Sequence, residues 1–313
     1  MNAALSRFTK YAWTVLFYNI AVVIWGGYVR ATGSGAGCGS HWPLCNGEII
    51  PRPKMVETVV EFSHRLSSGF AFLLVVGLIV WAFRIYPKGD PVRKAAGFAM
   101  GFMISESLVG ASLVIFEWVA GNISAARVVV MGVHLLNTFI LLAAIGLTAW
   151  WSGGGKTIDE QPHPQYKWIL YIALAAVMVM SMAGAVTALG DTLFPVESLA
   201  EGLEQDFSSQ SHYLIRLRVW HPIIATLVGA YVFFASRWIY LKHQENTLVK
   251  KLFFFVNGLF LLQLSAGLLN LVLLVPVWMQ LVHLGIASMV WLALVLFSAT
   301  ALALPQKMIA PSN

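Results

Sequence analysis

Residues 61–83 read EFSHRLSSGFAFLLVVGLIVWAF, an apolar run that follows a short polar start. A helix that crosses the hydrocarbon core of a bilayer needs about 20 mainly apolar residues, and this stretch has that length and composition. A histidine and two charged residues stand at its beginning, and no charged residue follows Arg65 within it. The stretch therefore predicts a membrane helix with polar groups near one end.

Seven further runs of this kind predict an all-α integral membrane protein with eight transmembrane helices. Of the 313 residues, 58% are hydrophobic and 11% are charged, whereas soluble domains carry about 25% charged residues. So few charges cannot cover a water-soluble body of this size. The predicted spans are 12–30, 61–83, 95–117, 128–151, 166–188, 215–239, 251–275 and 277–303.

The positions of lysine and arginine predict the orientation of these helices. If the N-terminus is cytoplasmic, most of the 20 lysines and arginines fall on the inner side, which favours an N-in, C-in protein of the cell membrane. This bias also accounts for the net charge of +6, so the basic character does not indicate a nucleic-acid partner.

An internal repeat predicts two related halves of four helices each. His64 and His221 are 157 residues apart, and His134 and His283 are 149 apart because the connection before His134 is longer. Halves with an even number of helices share one topology, which predicts a pseudo-twofold axis along the membrane normal. The predicted parts are a first half (1–152), a cytoplasmic linker (153–165) and a second half (166–313).

The same four histidines are the main candidates for function. Ionisable residues inside a membrane are costly and usually functional, although a single histidine could serve only to bond a neighbouring helix. Each lies within about two turns of the start of its span, so we expect all four near the outer face. One histidine from each of two helices can hold a haem iron from both sides, which predicts one haem site per half. Zinc fits less well, because the cysteines lack a zinc spacing.

The two predicted sites differ in one charged residue. Glu61 precedes His64 by three residues and shares its helix face, whereas Arg218 has the equivalent place before His221. Glu61 is either an acid favoured by the helix dipole or a functional carboxylate of the first site. The sequence alone leaves both interpretations open.

The outer loops and helix ends add two further candidate groups. Cys38 and Cys45 lie in the first outer loop, where they form either a structural disulfide or a redox-active pair. Arg65, Arg216 and Arg218 are either cations at the membrane interface or partners of haem propionates.

Several of these motifs together resemble the haem A synthase family. The resemblance rests on GSGAGCG at 33–39, WPLC at 42–45 and EFSHR at 61–65, and it extends to the eight helices and the four helix histidines. It implies an enzyme that oxidises the methyl group at pyrrole position 8 of haem O to a formyl group, giving haem A for terminal oxidases.

The resemblance also implies a role for each candidate residue. The first half would hold the substrate haem and the second half a permanent haem b, with the haem sites toward the outer side. The implied residues are Glu61 as the catalytic acid, His64, His134 and Arg65 around the substrate haem, His221 and His283 as axial ligands of haem b, and a Cys38–Cys45 disulfide. The implied partners are haem O and membrane lipid. Further candidates are a haem O synthase, cytochrome oxidase assembly factors and a second copy of the chain.

This chain departs from the family pattern in its second half. The second outer loop has no cysteine pair, and Pro222 follows His221 where the family often has an arginine. The partner of the second haem's propionates is therefore open, with Arg216 and Arg218 as the candidates.

Two other functions fit parts of the pattern. A diheme b-type electron carrier linked to quinol would have two equivalent permanent haems and no need for Glu61. A transporter would have broken helices with polar residues at the membrane midplane, for which Glu106, Asn137, Gln263 and Asn270 are candidates, although we expect them to be scattered.

Overall fold

A computed structural model describes residues 3–52, 55–158 and 163–304. Ten α-helices lie within these residues, and a short 3-10 turn at Ser34–Ala36 follows the first. The helices are α1 (Ala3–Ala31), α2 (Val56–Ile85), α3 (Pro91–Ile115), α4 (Ala125–Ser152), α5 (Pro164–Leu193), α6 (Leu199–Phe207), α7 (Tyr213–Leu217), α8 (Trp220–Lys242), α9 (Thr247–Val272) and α10 (Val277–Leu302).

Eight helical segments in the described residues are long and apolar enough to cross a membrane. They are α1 to α5, α7 together with α8, α9 and α10. This confirms the predicted all-α membrane protein with eight spanning helices. The N-in, C-in orientation stays a prediction.

The sixth span is broken near its start, where the sequence predicts one helix over 215–239. Pro222 has no N–H, and its ring excludes a helical bond to the carbonyl of Arg218, four residues earlier. That carbonyl instead accepts the N–H of His221 at 3.3 Å. The break places His221 in the first turn of α8.

The connection between α9 and α10 is longer than the sequence predicts. Helix α9 ends at Val272, not at residue 275, because Leu274 and Val275 have φ angles of 58° and 56°. Such left-handed conformations end a helix formed by L-residues. Pro276 then precedes α10 as its N-terminal cap.

The spanning helices pack as two groups of four. In the first group, α1 and α3 each contact both α2 and α4, so α2 and α4 lie across the group from each other. In the second group, α5 and α9 each contact both α8 and α10. The order of contacts is the same in the two groups, as a repeat requires, and the twofold axis itself stays a prediction.

Helices α1, α4, α5 and α10 join the two groups. In the core, the indole N–H of Trp291 on α10 donates to the carbonyl of Phe139 on α4 at 2.6 Å, and the two rings stack. Near the loop of Cys38 and Cys45, Arg30 on α1 donates to Thr192 at 2.8 Å and to Gln280 at 2.7 Å. A partly buried arginine with several acceptors therefore connects α1 to both helices of the other half that it meets.

The end of the bundle that carries the loop of Cys38 and Cys45 is called here the disulfide end. Helices α2, α4 and α10 begin there, as does the span formed by α7 and α8. The second long loop at this end contains α6, which the sequence analysis did not predict. The hydroxyl of Ser198 begins α6 by accepting the N–H of Glu201 at 3.2 Å.

Candidate functional site

The four predicted histidines all lie near the disulfide end. His64 is on α2 and His134 on α4, while His221 is on α8 and His283 on α10. Within each half, the two histidines therefore project from helices that lie across the four-helix group from each other.

The second pair has a separation that suits a metal between two imidazoles. The ring centres of His221 and His283 are 6.5 Å apart, and the rings are nearly perpendicular at 85°. A metal–histidine bond is about 2 Å long, so two such bonds with the two ring radii span about 6 Å. The two rings thus stand at a distance that one iron atom can bridge.

A glycine on a neighbouring helix faces each of the four rings. The pairs are Gly26 with His64, Gly110 with His134, Gly184 with His221 and Gly267 with His283. A methyl group at Gly184 would stand 2.8 Å from Cε1 of His221, which is closer than packed atoms come. Glycine therefore lets the ring lie against the backbone of the neighbouring helix.

The nitrogen atoms of these rings are largely uncommitted to other protein groups. Among the described residues, Nδ1 of His64, His221 and His283 is buried without a hydrogen-bond partner, whereas Nδ1 of His134 faces a carboxylate oxygen of Glu106 at 3.4 Å. A buried unpaired polar atom is costly, so it indicates a missing partner. Haem needs only one histidine from each side, and the described residues contain no group of three or more His, Cys, Asp or Glu that could hold a bare metal ion. The residues present fit a haem.

Glu61 is buried beside the first pair, with only 3% of its surface exposed. One carboxylate oxygen accepts the backbone N–H of Cys38 at 2.7 Å, and the other accepts Nε of Arg65 at 3.1 Å and pairs with a second nitrogen of the same guanidinium. The carboxylate is therefore held in one position by donors from the disulfide loop and from its own helix.

Arg65 extends this network across the disulfide loop. Its Nη1 donates to the carbonyls of His41 and Leu44, each at 2.6 Å. Cys38 and Cys45 are joined in a disulfide, which confirms the predicted bond. Arg65 therefore holds Glu61 and the loop together, and its contact with a haem propionate stays a prediction.

Arg218 has a corresponding position in the second half with opposite charge. It pairs with Asp191 at the end of α5 at 3.2 Å and with Asp206 in α6 at 2.8 Å. Arg216 is exposed. Of the two arginines proposed for the second haem, Arg218 is thus engaged by carboxylates of the protein.

The prediction that the polar midplane residues are scattered is wrong for Glu106 and Asn137, which contact each other in the first half, whereas Gln263 lies in the second half. Glu106 lies on α3 with a carboxylate oxygen 3.4 Å from Nδ1 of His134, and it accepts the side-chain N–H of Asn137 at 2.6 Å. In the second half, the amide of Gln263 lies 2.9 Å from Nε2 of His283. Glu106 and Gln263 are 157 residues apart, the separation of His64 and His221, and that match could have identified them.

Several known proteins are similar to this chain in sequence. A protein of Thermus thermophilus named protoheme IX farnesyltransferase is 51% identical over 299 residues, which cover 96% of this chain and 49% of that protein. Heme A synthases of Bacillus mycoides and Bacillus cereus are 35% and 34% identical over 144 residues, or 45% of this chain and 45% of theirs. The chain thus spans about half the length of the curated relatives it matches.

The family comparison covers most of the chain. The sequence model of COX15-CtaA, described as cytochrome oxidase assembly protein, matches residues 9–295, which include both histidine pairs and the disulfide loop. This chain therefore belongs to the COX15-CtaA family of cytochrome oxidase assembly proteins.

Proposed function

We propose that this protein is a haem A synthase, which oxidises the C8 methyl group of haem O to a formyl group and so provides haem A for terminal oxidases. The observation that carries the proposal is the difference between two otherwise matched histidine sites. The first has a buried, fixed carboxylate, Glu61, and the second has Arg218 in its place. The Bacillus relatives that are named Heme A synthase support this reaction.

The reaction requires a place for protons to leave. Conversion of a methyl to a formyl group removes four electrons and, with the oxygen atom counted as water, releases four protons. A fixed side chain within hydrogen-bond reach accepts protons more effectively than water in a closed apolar site. We assign this role to Glu61, whose position the N–H of Cys38 and the guanidinium of Arg65 set.

The two halves then have separate tasks, which correspond to residues 1–152 and 166–313. His64 and His134 hold the substrate haem in the first half, with Arg65 beside it. His221 and His283 hold haem b in the second half. If His221 and His283 hold haem b, it would supply a one-electron redox centre through which the four electrons can pass, one at a time, to an oxidant outside this chain.

The relative from Thermus supports a second candidate, because its printed name is that of a farnesyltransferase. This chain covers 49% of that protein, so the named activity can reside in the other part. Farnesyl transfer releases diphosphate, which proteins commonly bind through Mg²⁺ held by carboxylates. The aspartates of this chain are widely separated, at 90, 159, 191 and 206, and do not form such a motif. The name instead supports a haem O synthase as a functional partner.

We also propose that the disulfide end lies at the outer side of the cell membrane with both termini inside. The distribution of lysine and arginine supports this orientation. An outer position also exposes the loop of Cys38 and Cys45 to an oxidising compartment.

The test is analysis of extracted haems by chromatography. We expect a cell that makes haem O but lacks haem A synthase to accumulate haem A when it expresses this protein. The purified protein should contain haem B together with haem O or haem A. Haem B alone, at two per chain, would show a diheme electron carrier, and farnesylated haem formed without any haem O synthase would show a farnesyltransferase.

A further inference from the structure

We infer that Glu106 is a positioning residue for His134, and that its negative charge gives the first-half iron a lower reduction potential than the second-half iron. The inference rests on the proposed function, because it requires a haem between His64 and His134. The inference adds a direction of electron transfer, from the first-half haem to the second-half haem.

The first observation is the contact between the two side chains. A carboxylate oxygen of Glu106 on α3 lies 3.4 Å from Nδ1 of His134 on α4, an ion-pair distance. This contact leaves Nε2 of the ring as the nitrogen that can face an iron atom. A carboxylate on the second nitrogen of a ligating histidine fixes the orientation of the ring and raises its basicity.

The second observation is that the carboxylate of Glu106 is itself held in place. Asn137 donates to one of its oxygens at 2.6 Å, and the hydroxyl of Thr138 donates to the other. Asn137 is oriented in turn by the hydroxyl of Ser105 and by the carbonyl of Phe102, which accepts its N–H at 2.9 Å. The network joins α3 to α4, so the charge cannot swing away from the histidine without breaking several hydrogen bonds.

The third observation is the counterpart in the second half. Gln263 stands 157 residues after Glu106 and contacts His283, but it is neutral and it meets Nε2 of the ring. The residues that correspond to the two donors of the network are Ile286 and Ala287, which carry no donor side chains. The charge and its support are therefore properties of the first half only.

Simple electrostatics gives the consequence. A nearby negative charge stabilises the oxidised, more positive state of an iron centre, whereas a neutral amide does not. The first-half haem should therefore be the easier of the two to oxidise. A lower potential at the site where the methyl group is oxidised favours transfer of electrons to the second-half haem.

The test is a redox titration of the purified full-length protein, followed by absorption. His64→Ala and His221→Ala variants assign the two transitions to the halves. We expect Glu106→Gln to raise the potential of the first-half transition, to leave the other unchanged, and to weaken binding of added haem B to the first half by roughly 10–100-fold. Gln263→Glu is the reciprocal control and should lower the second-half potential.

Two further results keep the test decisive. If Glu106→Gln also loses the second-half haem, the protein has misfolded, and Thr138→Val then serves as the milder variant, with a smaller shift in the same direction. An unchanged first-half potential and affinity in a folded variant would overturn the role of Glu106. A wild-type protein without any haem that depends on His64 would instead overturn the proposed function.

Discussion

The two histidine sites are formed by corresponding helices, but the residue that bonds the nearby loop is an acid in the first half and a base in the second. In the first half, Glu61 accepts the backbone N–H of Cys38 and so binds the disulfide loop. In the second half, Arg218 donates to Asp206 and so binds the loop that contains α6. The residue three positions before each histidine therefore anchors a loop of the disulfide end in both halves.

This comparison separates two roles that Glu61 combines. Anchoring a loop needs a hydrogen-bonding side chain, and Arg218 shows that either charge will serve. Proton transfer needs a carboxylate, and only the first half has one at this position. Variants that keep the hydrogen bond and remove the charge can therefore distinguish the two roles.

The largest expected effect is on the second-half haem. A double variant, His221→Ala with His283→Ala, removes both axial ligands and should eliminate the low-spin haem b spectrum completely. Absorption spectra of the purified protein provide the measurement, and His243→Ala at the end of α8 is a comparison that leaves the pair intact. A full low-spin signal in the double variant would show that haem b is bound elsewhere.

The next effect concerns the charge of Glu61. Glu61→Gln keeps an oxygen that accepts the N–H of Cys38 and loses the pair with Arg65, which still donates to the carbonyls of His41 and Leu44, so the loop should stay in place and the second-half haem should remain. Formation of haem A should fall on the order of 10²–10⁴-fold, the usual contribution of a general acid or base. Haem O or a hydroxylated intermediate should accumulate in the extracted haems.

A matched control for this variant lies one turn away on the same helix. Glu57 is exposed, so Glu57→Gln removes a carboxylate of the same kind without touching the site. Near-normal haem A from Glu61→Gln, equal to that from Glu57→Gln, would assign Glu61 to loop anchoring alone.

A third effect should appear in stability and not in chemistry. Arg218→Met leaves Asp191 and Asp206 without their cation, and loss of one partner of a buried ion pair costs about 3–5 kcal/mol. Thermal unfolding in detergent should show the loss, while haem A formed per folded protein should change little. Arg216→Met is the control, because Arg216 is exposed. A large loss of activity without loss of stability would mean that Arg218 acts on the haem directly.

The predicted and the unpredicted features of the molecule have different physical origins. Hydropathy predicts all eight spanning helices, because lipid requires a long apolar run whatever the neighbouring helices are. Hydropathy does not register single backbone hydrogen bonds, so it does not predict the break before α8, which Pro222 signals. The ends of α9 likewise depend on backbone angles at Leu274 and Val275.

The site shows the same limit. The four histidines could be identified because the repeat places them at fixed separations along the chain. The contact of Glu61 with Cys38 depends on how the disulfide loop folds back over α2, and the contact of Glu106 with His134 depends on which helices are neighbours. Such contacts between distant parts of the sequence require the three-dimensional packing.

The smallest effect should come from substitution of the glycines that face the rings. Its size should follow the distance between the added methyl group and the histidine ring. A methyl group at Gly184 would lie 2.8 Å from His221, whereas one at Gly110 would lie 3.6 Å from His134, an ordinary contact. Gly184→Ala should displace the ring and cost about 1–3 kcal/mol, as overpacking usually does. Gly110→Ala should be nearly neutral and is the matched control.

Both glycine variants can be followed by the midpoint of thermal haem release. Gly184→Ala should release the second-half haem at a lower temperature and broaden its low-spin spectrum, because the displaced ring of His221 would bind the iron more weakly. Gly110→Ala should leave both haems unchanged. Equal and negligible effects from the two variants would mean that His221 moves away from Gly184 when haem binds, so that the close packing of ring against glycine belongs to the haem-free protein only.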